Sequence, residues 1–320
     1  MSNINPVKPS NPTKSFEDAL SMTAHRVDDF LANLLTTGEG STDVSTAERV
    51  PDRLLQAMRH AVLGGGKRFR PFLVEQSAAL FGVAQERALS AGGAVELIHC
   101  YSLAHDDLPA MDNDDLRRGQ PTVWRAFDDW TAILAGDGLQ ALAFECLGAD
   151  GCHPDAGVRA ALTVMLARAS GGLGMVGGQA LDLEAERLGD GQTQTLDTIR
   201  HLQSMKTGAL IVFSCEAGAV LGGGSSAERA ALRSYGEKLG YAFQIADDLL
   251  DVEGDAATVG KAVAKDADAG KATLVSLMGL DAARSALTQT RDEAIAALDV
   301  FGGRGDMLRQ AADFVVNRRR

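Results

Sequence analysis

From residue 51 onward, apolar residues recur at helical spacing. Leu196, Ile199, Leu202, Met205, Leu210 and Phe213 follow one another at steps of three to five, the repeat of one helix face, while the strict alternation of a strand is hard to find anywhere. Punctuation divides this pattern into elements. Pro51 predicts a helix start after a Ser/Thr/Glu-rich loop, with its end at Gly64-Gly65-Gly66. Pro71 opens another, ending near Gly82. A third covers about Gln85 to Asp107, and Pro121 begins one that reaches toward Gly136 or beyond. Glycine clusters at 171–178 and 222–224 mark further breaks or close helix contacts. None of the eight prolines lies after Pro154, which permits a continuous run of long helices. Residues 1–14, rich in Asn, Pro, Ser and Lys, predict a disordered tail. No linker divides the remainder, so the expectation is one all-α domain over residues 15–320, with about ten helices.

Composition narrows the function classes. The chain has 320 residues, 45% of them hydrophobic and 5% aromatic, enough apolar material for a large core and a lean toward helix. A formal charge of −12 argues against a nucleic-acid partner, whose phosphates demand a positive face. Cys100, Cys146, Cys152 and Cys215 show no CxxC pairing and read as buried, reduced thiols. Neither a signal-peptide core nor an uninterrupted membrane span stands out, so the expected location is the cytoplasm.

Two acidic clusters carry the chemistry. In the segment Ala104 to Gly119, Asp106, Asp107, Asp112, Asp114 and Asp115 crowd the end of an otherwise apolar helix. In Phe243 to Asp251, Asp247 and Asp251 lie four apart, on one helix face, with Asp248 beside them. Like charges so placed repel and call for a cation. Carboxylate oxygens without Cys and with few His form a hard ligand set that suits Mg²⁺ or Mn²⁺ rather than Zn²⁺. Magnesium usually takes one or two protein carboxylates and fills the rest of its shell with water or phosphate oxygens, so two aspartate walls could grip a diphosphate. Pro109 and Ala110 occupy the turn where a regular helix would place the next ligand, so Asp112 is the expected partner of Asp106, carried back by a local bulge. A solvated acidic face accounts for one such pair but poorly for two, next to Ile98, Leu103, Phe243 and Ile245.

Gly64 to Pro71 (GGGKRFRP) sets Lys67 and Arg70 three apart beside flexible glycines, where backbone amides and cations can face one anion. Arg117-Arg118, Lys206-Thr207, Lys261 and Lys271 add scattered cations.

Read together, GGKRFRP, ELIHCYSLAHDDLPAMDNDDLRRG, GGQALDL, MKTG, FQIADDLLD and DAGKAT follow one another in the order of the trans-prenyl diphosphate synthases. The chain resembles that family over roughly residues 15 to 320, and its two extra residues in DDLPAMD resemble the bacterial farnesyl type. The resemblance implies an all-helical bundle around a deep central cavity, usually as a homodimer. It implies that Asp106, Asp107, Asp112, Asp247, Asp248 and Asp251 hold three magnesium ions. Arg117, Lys206, Thr207, Gln244, Lys261 and Lys271 would line the pocket of an allylic diphosphate. Lys67, Arg70, His99 and Arg118 would bind isopentenyl diphosphate. The implied reaction ionises the allylic carbon–oxygen bond, with metal and cationic side chains neutralising the leaving diphosphate, which then takes the final proton. Of these residues, Lys206, Thr207, Gln244 and Lys261 stand closest to the chemistry.

The growing hydrocarbon should run down the helix that carries Asp106. Tyr101 lies five residues earlier, about 7.5 Å lower at the α-helical rise, and in the family an aromatic there closes the floor and caps the product at fifteen carbons. Ser102 beside it is small. A geranylgeranyl product, and more remotely a terpene cyclase, are the alternatives, although a cyclase has no use for Lys67, Arg70 and Arg118. A di-iron bundle is suggested by Glu96-Leu-Ile-His99 alone, and such sites need two ExxH helices. A regulatory subunit of a heteromeric synthase would tend to lose aspartates that are all present here.

Overall fold

The structure, a computed structural model, describes residues 15–36, 50–187, 194–258 and 273–317. The predicted tail, Lys261, Lys271 and most of the DAGKAT motif lie outside them. Helix α1 (Phe16–Leu34) is capped by Ser15, whose hydroxyl accepts from the Asp18 amide at 3.1 Å. Helices α2 (Asp52–Leu63), α3 (Phe69–Ala79) and α4 (Gln85–Asp106) follow the predicted punctuation. Only the start of α3 differs: it begins two residues before Pro71, which occupies the first turn, where its missing N–H costs nothing.

The segment after Pro121 departs from the expected single helix. Leu116–Arg117 (β1) and Gln120–Pro121 (β2) pair antiparallel, joined by Arg118 and Gly119 with φ of 53° and 77°, the two left-handed positions of a type I′ hairpin turn. A short α5 (Val123–Ala126) then ends at Phe127, and Asp128 starts α6 (Asp129–Gly148) by accepting from the Thr131 amide at 2.9 Å. Gly136 lies inside α6, which runs beyond it to Gly148, within the expected reach. Next come α7 (Ala156–Ser170), α8 (Met175–Arg187), α9 (Leu196–Gln203), a π-helical turn over Ser204–Gly208, α10 (Ala209–Leu221) and α11 (Ser226–Thr258). The chain closes with α12 (Leu274–Met278), α13 (Leu280–Ala297), a 3₁₀ turn over Asp299–Gly305 and α14 (Asp306–Asn317).

Helix α10 is apolar except for Ser214 and Glu216 and is buried on nearly every side, and it divides the core. Leu210, Phe213 and Ala217 face a cluster built with α1, α2, α4, α6 and α7. Ile211, Cys215 and Ala219 face a second cluster built with α3, α11, α13 and α14. Each buried Leu or Phe contributes about 1.5–3 kcal/mol. Contact with α3 is so close that a Cβ on Gly218 would sit 2.2 Å from the Ala78 backbone nitrogen; any side chain there would pry the two helices apart. The four cysteines are buried and unbridged, as expected.

Among the described residues, two helical stretches are long and apolar enough to cross a membrane by length and composition alone, Ala156–Arg187 and Leu196–Leu221, each holding an 18-residue window of mean hydropathy 1.3. The sequence pattern predicts none. The second stretch contains α10 and is 67% buried, so its apolar surface faces the core just described. The first is 28% buried and is broken by the turn at Gly171–Gly174.

Candidate active site

The acidic end of α4 is shaped by Pro109, which restricts the backbone before it and ends the helix. The chain then turns back on itself. Met111 and Asn113 amides donate to the Leu108 carbonyl at 2.8 and 3.1 Å, Asp112 to the Asp106 carbonyl at 2.8 Å, and Asp114 to the Asp107 carbonyl at 3.2 Å. Asn113 takes the left-handed conformation that closes the turn, φ 53°. Asp112 is thereby returned to the level of Asp106. Arg187, at the end of α8, fixes the same turn by donating to the Ala110 and Met111 carbonyls at 2.8 and 2.5 Å. Spacing alone gave no hint of that arginine, 76 residues away.

Burial pushes the Asp106 carboxyl up to about 7, reinforced by Asp112 and Asp107 and opposed by Lys206 and Arg117. Asp107 is also raised by burial, against the pull of Arg117, whose Nε donates to it at 2.7 Å and whose Nη2 lies 2.5 Å away. Asp107 thus faces the hairpin arginine while Asp106 faces a cavity of about 400 Å³.

That cavity runs between α4 and α8. Arg70, His99, Asp106, Lys206 and Thr207 bring charge and polarity to it, and Leu103, Met111, Met175, Val176, Ala180 and Leu183 make it apolar. Tyr101 and Ser102 line it as well. The Tyr101 ring stands edge-on to His105, 5.7 Å between centroids, and its buried hydroxyl approaches Gln140 without reaching hydrogen-bond geometry. His105 bonds the Ile133 carbonyl at 2.9 Å; a Cβ on Gly136 would meet its Nε2 at 2.1 Å, so that glycine makes room for the ring.

Lys206 and Thr207 reach the cavity from the π-helical turn. The glycine pair of GGQALDL makes the approach possible, since a Cβ on Gly178 would lie 2.2 Å from the Lys206 backbone nitrogen. Lys206 Nζ is 2.6 Å from Asp182 Oδ2, and Gly240 of α11 backs onto Gly208.

Arg70 lines this cavity, and Arg118 and Arg117 lie near enough to act on His99. Burial lowers the Arg70 pKa, while Asp247 and Glu96 raise it, and Arg70 Nε is buried without a hydrogen-bond partner. His99 is held well below its usual value, first by burial and then by Arg70, Arg118, Arg117 and Arg68, so its imidazole is neutral. Arg118 donates to the Gly65 carbonyl, and a Cβ on Gly66 would strike its guanidinium at 2.6 Å. The glycine run therefore cradles an arginine from 53 residues away. Lys67 is exposed, 5.5 Å above the Phe314 ring.

Arg68, between Lys67 and Arg70, has the opposite fate. It is 2% exposed, left-handed at φ 48°, and pairs with Glu96 at 2.7 Å and Asp28 at 2.8 Å while donating to the Val62 carbonyl at 2.6 Å. Glu96 is consumed by this pair, which removes the di-iron reading of Glu96 and His99.

In α11, Asp247 is close enough to act on Arg70, so the second acidic motif adjoins the cavity that Asp106 lines. Asp248 turns elsewhere. It is 6% exposed and accepts from the Leu274 amide at 2.8 Å, at the first turn of α12, and from Gln244 Nε2 at 3.0 Å. Among the described residues no three His, Cys, Asp or Glu side chains converge on one metal position.

Residues 51–299 match the polyprenyl synthetase family model. A farnesyl diphosphate synthase of Escherichia coli (strain K12) is 44% identical over 272 residues, 83% of this chain and 89% of that protein. The chain belongs to the polyprenyl synthetase family. A geranylgeranyl pyrophosphate synthase of Arabidopsis thaliana is 42% identical over 79% of this chain and 70% of its own length. An FPP/GFPP synthase from Zymomonas mobilis, solved without ligand, superposes with a TM-score of 0.82 at 47% identity, covering 94% of this chain and 98% of that one. The all-α fold is that of the isoprenoid synthases, and this polyprenyl synthetase is a prenyltransferase. Members of the family generally depend on a divalent metal. Asp182, Arg187, Arg68 and Gln179 are the site residues that sequence reasoning did not assign; Arg68 lies in GGKRFRP and Gln179 and Asp182 in GGQALDL, whereas Arg187 lies in none of the quoted motifs.

Proposed function

We propose that this prenyltransferase joins isopentenyl diphosphate head-to-tail to dimethylallyl and then geranyl diphosphate, and that farnesyl diphosphate is its main product. One observation carries the reading: a cavity charged at the Asp106, Lys206 and Arg70 end, apolar along α8, with Tyr101 on its wall. Charge at one end suits a diphosphate; the apolar length suits an isoprenoid chain.

Magnesium fits the acidic residues. A carboxyl raised to about 7 by burial and by a second carboxylate is one whose charge asks for a cation, and oxygen donors select a hard one. In this reading Asp106, Asp107 and Asp112 face Asp247, Asp248 and Asp251 across three ions; Asp107 and Asp248 would first leave Arg117 and Leu274. The ions would supply charge neutralisation of the leaving diphosphate. Lys206, Thr207, Gln244 and Arg117, with Lys261 and Lys271 from outside the described residues, would hold the allylic diphosphate. Lys67, Arg70, His99 and Arg118 would hold that of isopentenyl diphosphate. The buried, unpartnered Arg70 Nε supports an anion there. His99, being neutral, would donate a hydrogen bond rather than a charge.

The reading extends to one domain over residues 15–320, a cytoplasmic enzyme and a homodimer. Trp130, Ile133 and Leu134 are exposed in the first two turns of α6, an apolar patch suited to a second copy. The test is incubation with radiolabelled isopentenyl diphosphate, dimethylallyl diphosphate and Mg²⁺, followed by product chromatography. A fifteen-carbon alcohol after phosphatase treatment is expected; a twenty-carbon one would replace the farnesyl assignment.

A further inference from the structure

Met175, Gln179 and Leu183 are four apart on α8 and, with Val176 and Ala180, present one stripe to the cavity. Every other member of that stripe is apolar. Gln179 is 9% exposed, and neither its amide oxygen nor its amide nitrogen has a hydrogen-bond partner. A buried amide without partners is less favourable than a leucine or methionine in the same space, so the fold gains nothing from it. An isoprenoid tail cannot satisfy it either, because hydrocarbon offers neither donor nor acceptor.

Its location narrows the possibilities. Gly178 abuts the backbone of Lys206, which places the next residue, Gln179, beside Lys206 and Thr207 on the same cavity wall. Resting on the reading of this cavity as the allylic site, we propose that Gln179 is a catalytic residue that stabilises the allylic cation. As the C1–O bond breaks, its electron pair leaves with the diphosphate oxygen and positive charge spreads over C1 and C3. The Gln179 carbonyl oxygen faces that charge, and its NH₂ donates to the departing oxygen. The double bond of isopentenyl diphosphate then supplies the pair for the new C–C bond, and the proton lost goes to the released diphosphate. Gln179 exchanges neither proton nor electrons. An amide suits this place because its oxygen is negative enough to stabilise a cation, whereas a carboxylate could capture it as an ester.

The test uses Gln179→Leu and Gln179→Met in the full chain, with three readouts. Turnover of dimethylallyl and isopentenyl diphosphates should fall about tenfold or more, the usual effect of removing one preorganised dipole. Affinity for dimethylallyl thiolodiphosphate, which resists ionisation, should change less than about threefold, and the melting temperature should equal or exceed that of the parent. Loss of stability together with turnover assigns a structural role and overturns the proposal, as does turnover within about twofold of the parent in both variants. Loss of analogue affinity in parallel with turnover also overturns it. A parent protein without turnover removes the allylic reading itself, a result distinct from all of these.

Discussion

Lys206 of the π-helical turn and Asp182 of α8 form an ion pair of 2.6 Å beside the cavity, with Asp182 buried and Lys206 part-exposed. The pair fixes one of the few cations that face Asp106. Asp182→Asn keeps the shape and removes the charge, which frees the lysine. A displaced catalytic group can cost up to about a hundredfold, so kcat/KM for the allylic substrate should fall about ten- to a hundredfold, with a smaller change for isopentenyl diphosphate. Steady-state kinetics with each substrate varied in turn would check this.

Arg68 and Glu96 form a pair buried on both sides. Removing one partner of such a pair strands the other, at about 3–5 kcal/mol. Glu96→Ala should lower stability by about that amount in urea unfolding, less whatever Asp28 retains. Arg68→Met combined with Glu96→Leu should recover much of the loss, because no charge is left buried.

His99 offers a pH signature. Its folded pKa lies well below 6.5, for burial and four arginines all disfavour the imidazolium. The unfolded chain binds a proton at about 6.5, so stability is fully present above that value and declines as pH falls toward the folded pKa. Urea unfolding at pH 7.5 and 5.5 should show this decline in the ligand-free protein, and His99→Asn should lessen it.

Tyr101 lines the cavity one helical turn and a little more below Asp106. Tyr101→Ala should let the chain grow past fifteen carbons, readable as longer alcohols in the radiolabelled product assay. Unchanged product length would remove Tyr101 as the floor.

The helix pattern was legible because Pro and Gly start and end helices through their own backbone geometry, as at Pro51, Gly64 and Pro71, and because apolar residues recur at helical spacing from α9 into α10. The motifs were legible for a similar reason: acidic pairs at helical spacing define a face wherever the helix is placed. The hairpin at Arg118-Gly119 escaped notice, since two residues of pairing leave no alternation to read.

What sequence alone determined is the all-α class, the membership in a prenyl synthase family and the acidic and basic residues that mark it. Tertiary structure decided how neighbours in the chain divide their work: Arg70 faces a cavity while Arg68 is neutralised in the core, and Asp247 acts on Arg70 while Asp248 serves α12. Side chains one or two positions apart leave a helix in different directions, and which direction meets solvent, core or cavity depends on partners tens of residues distant.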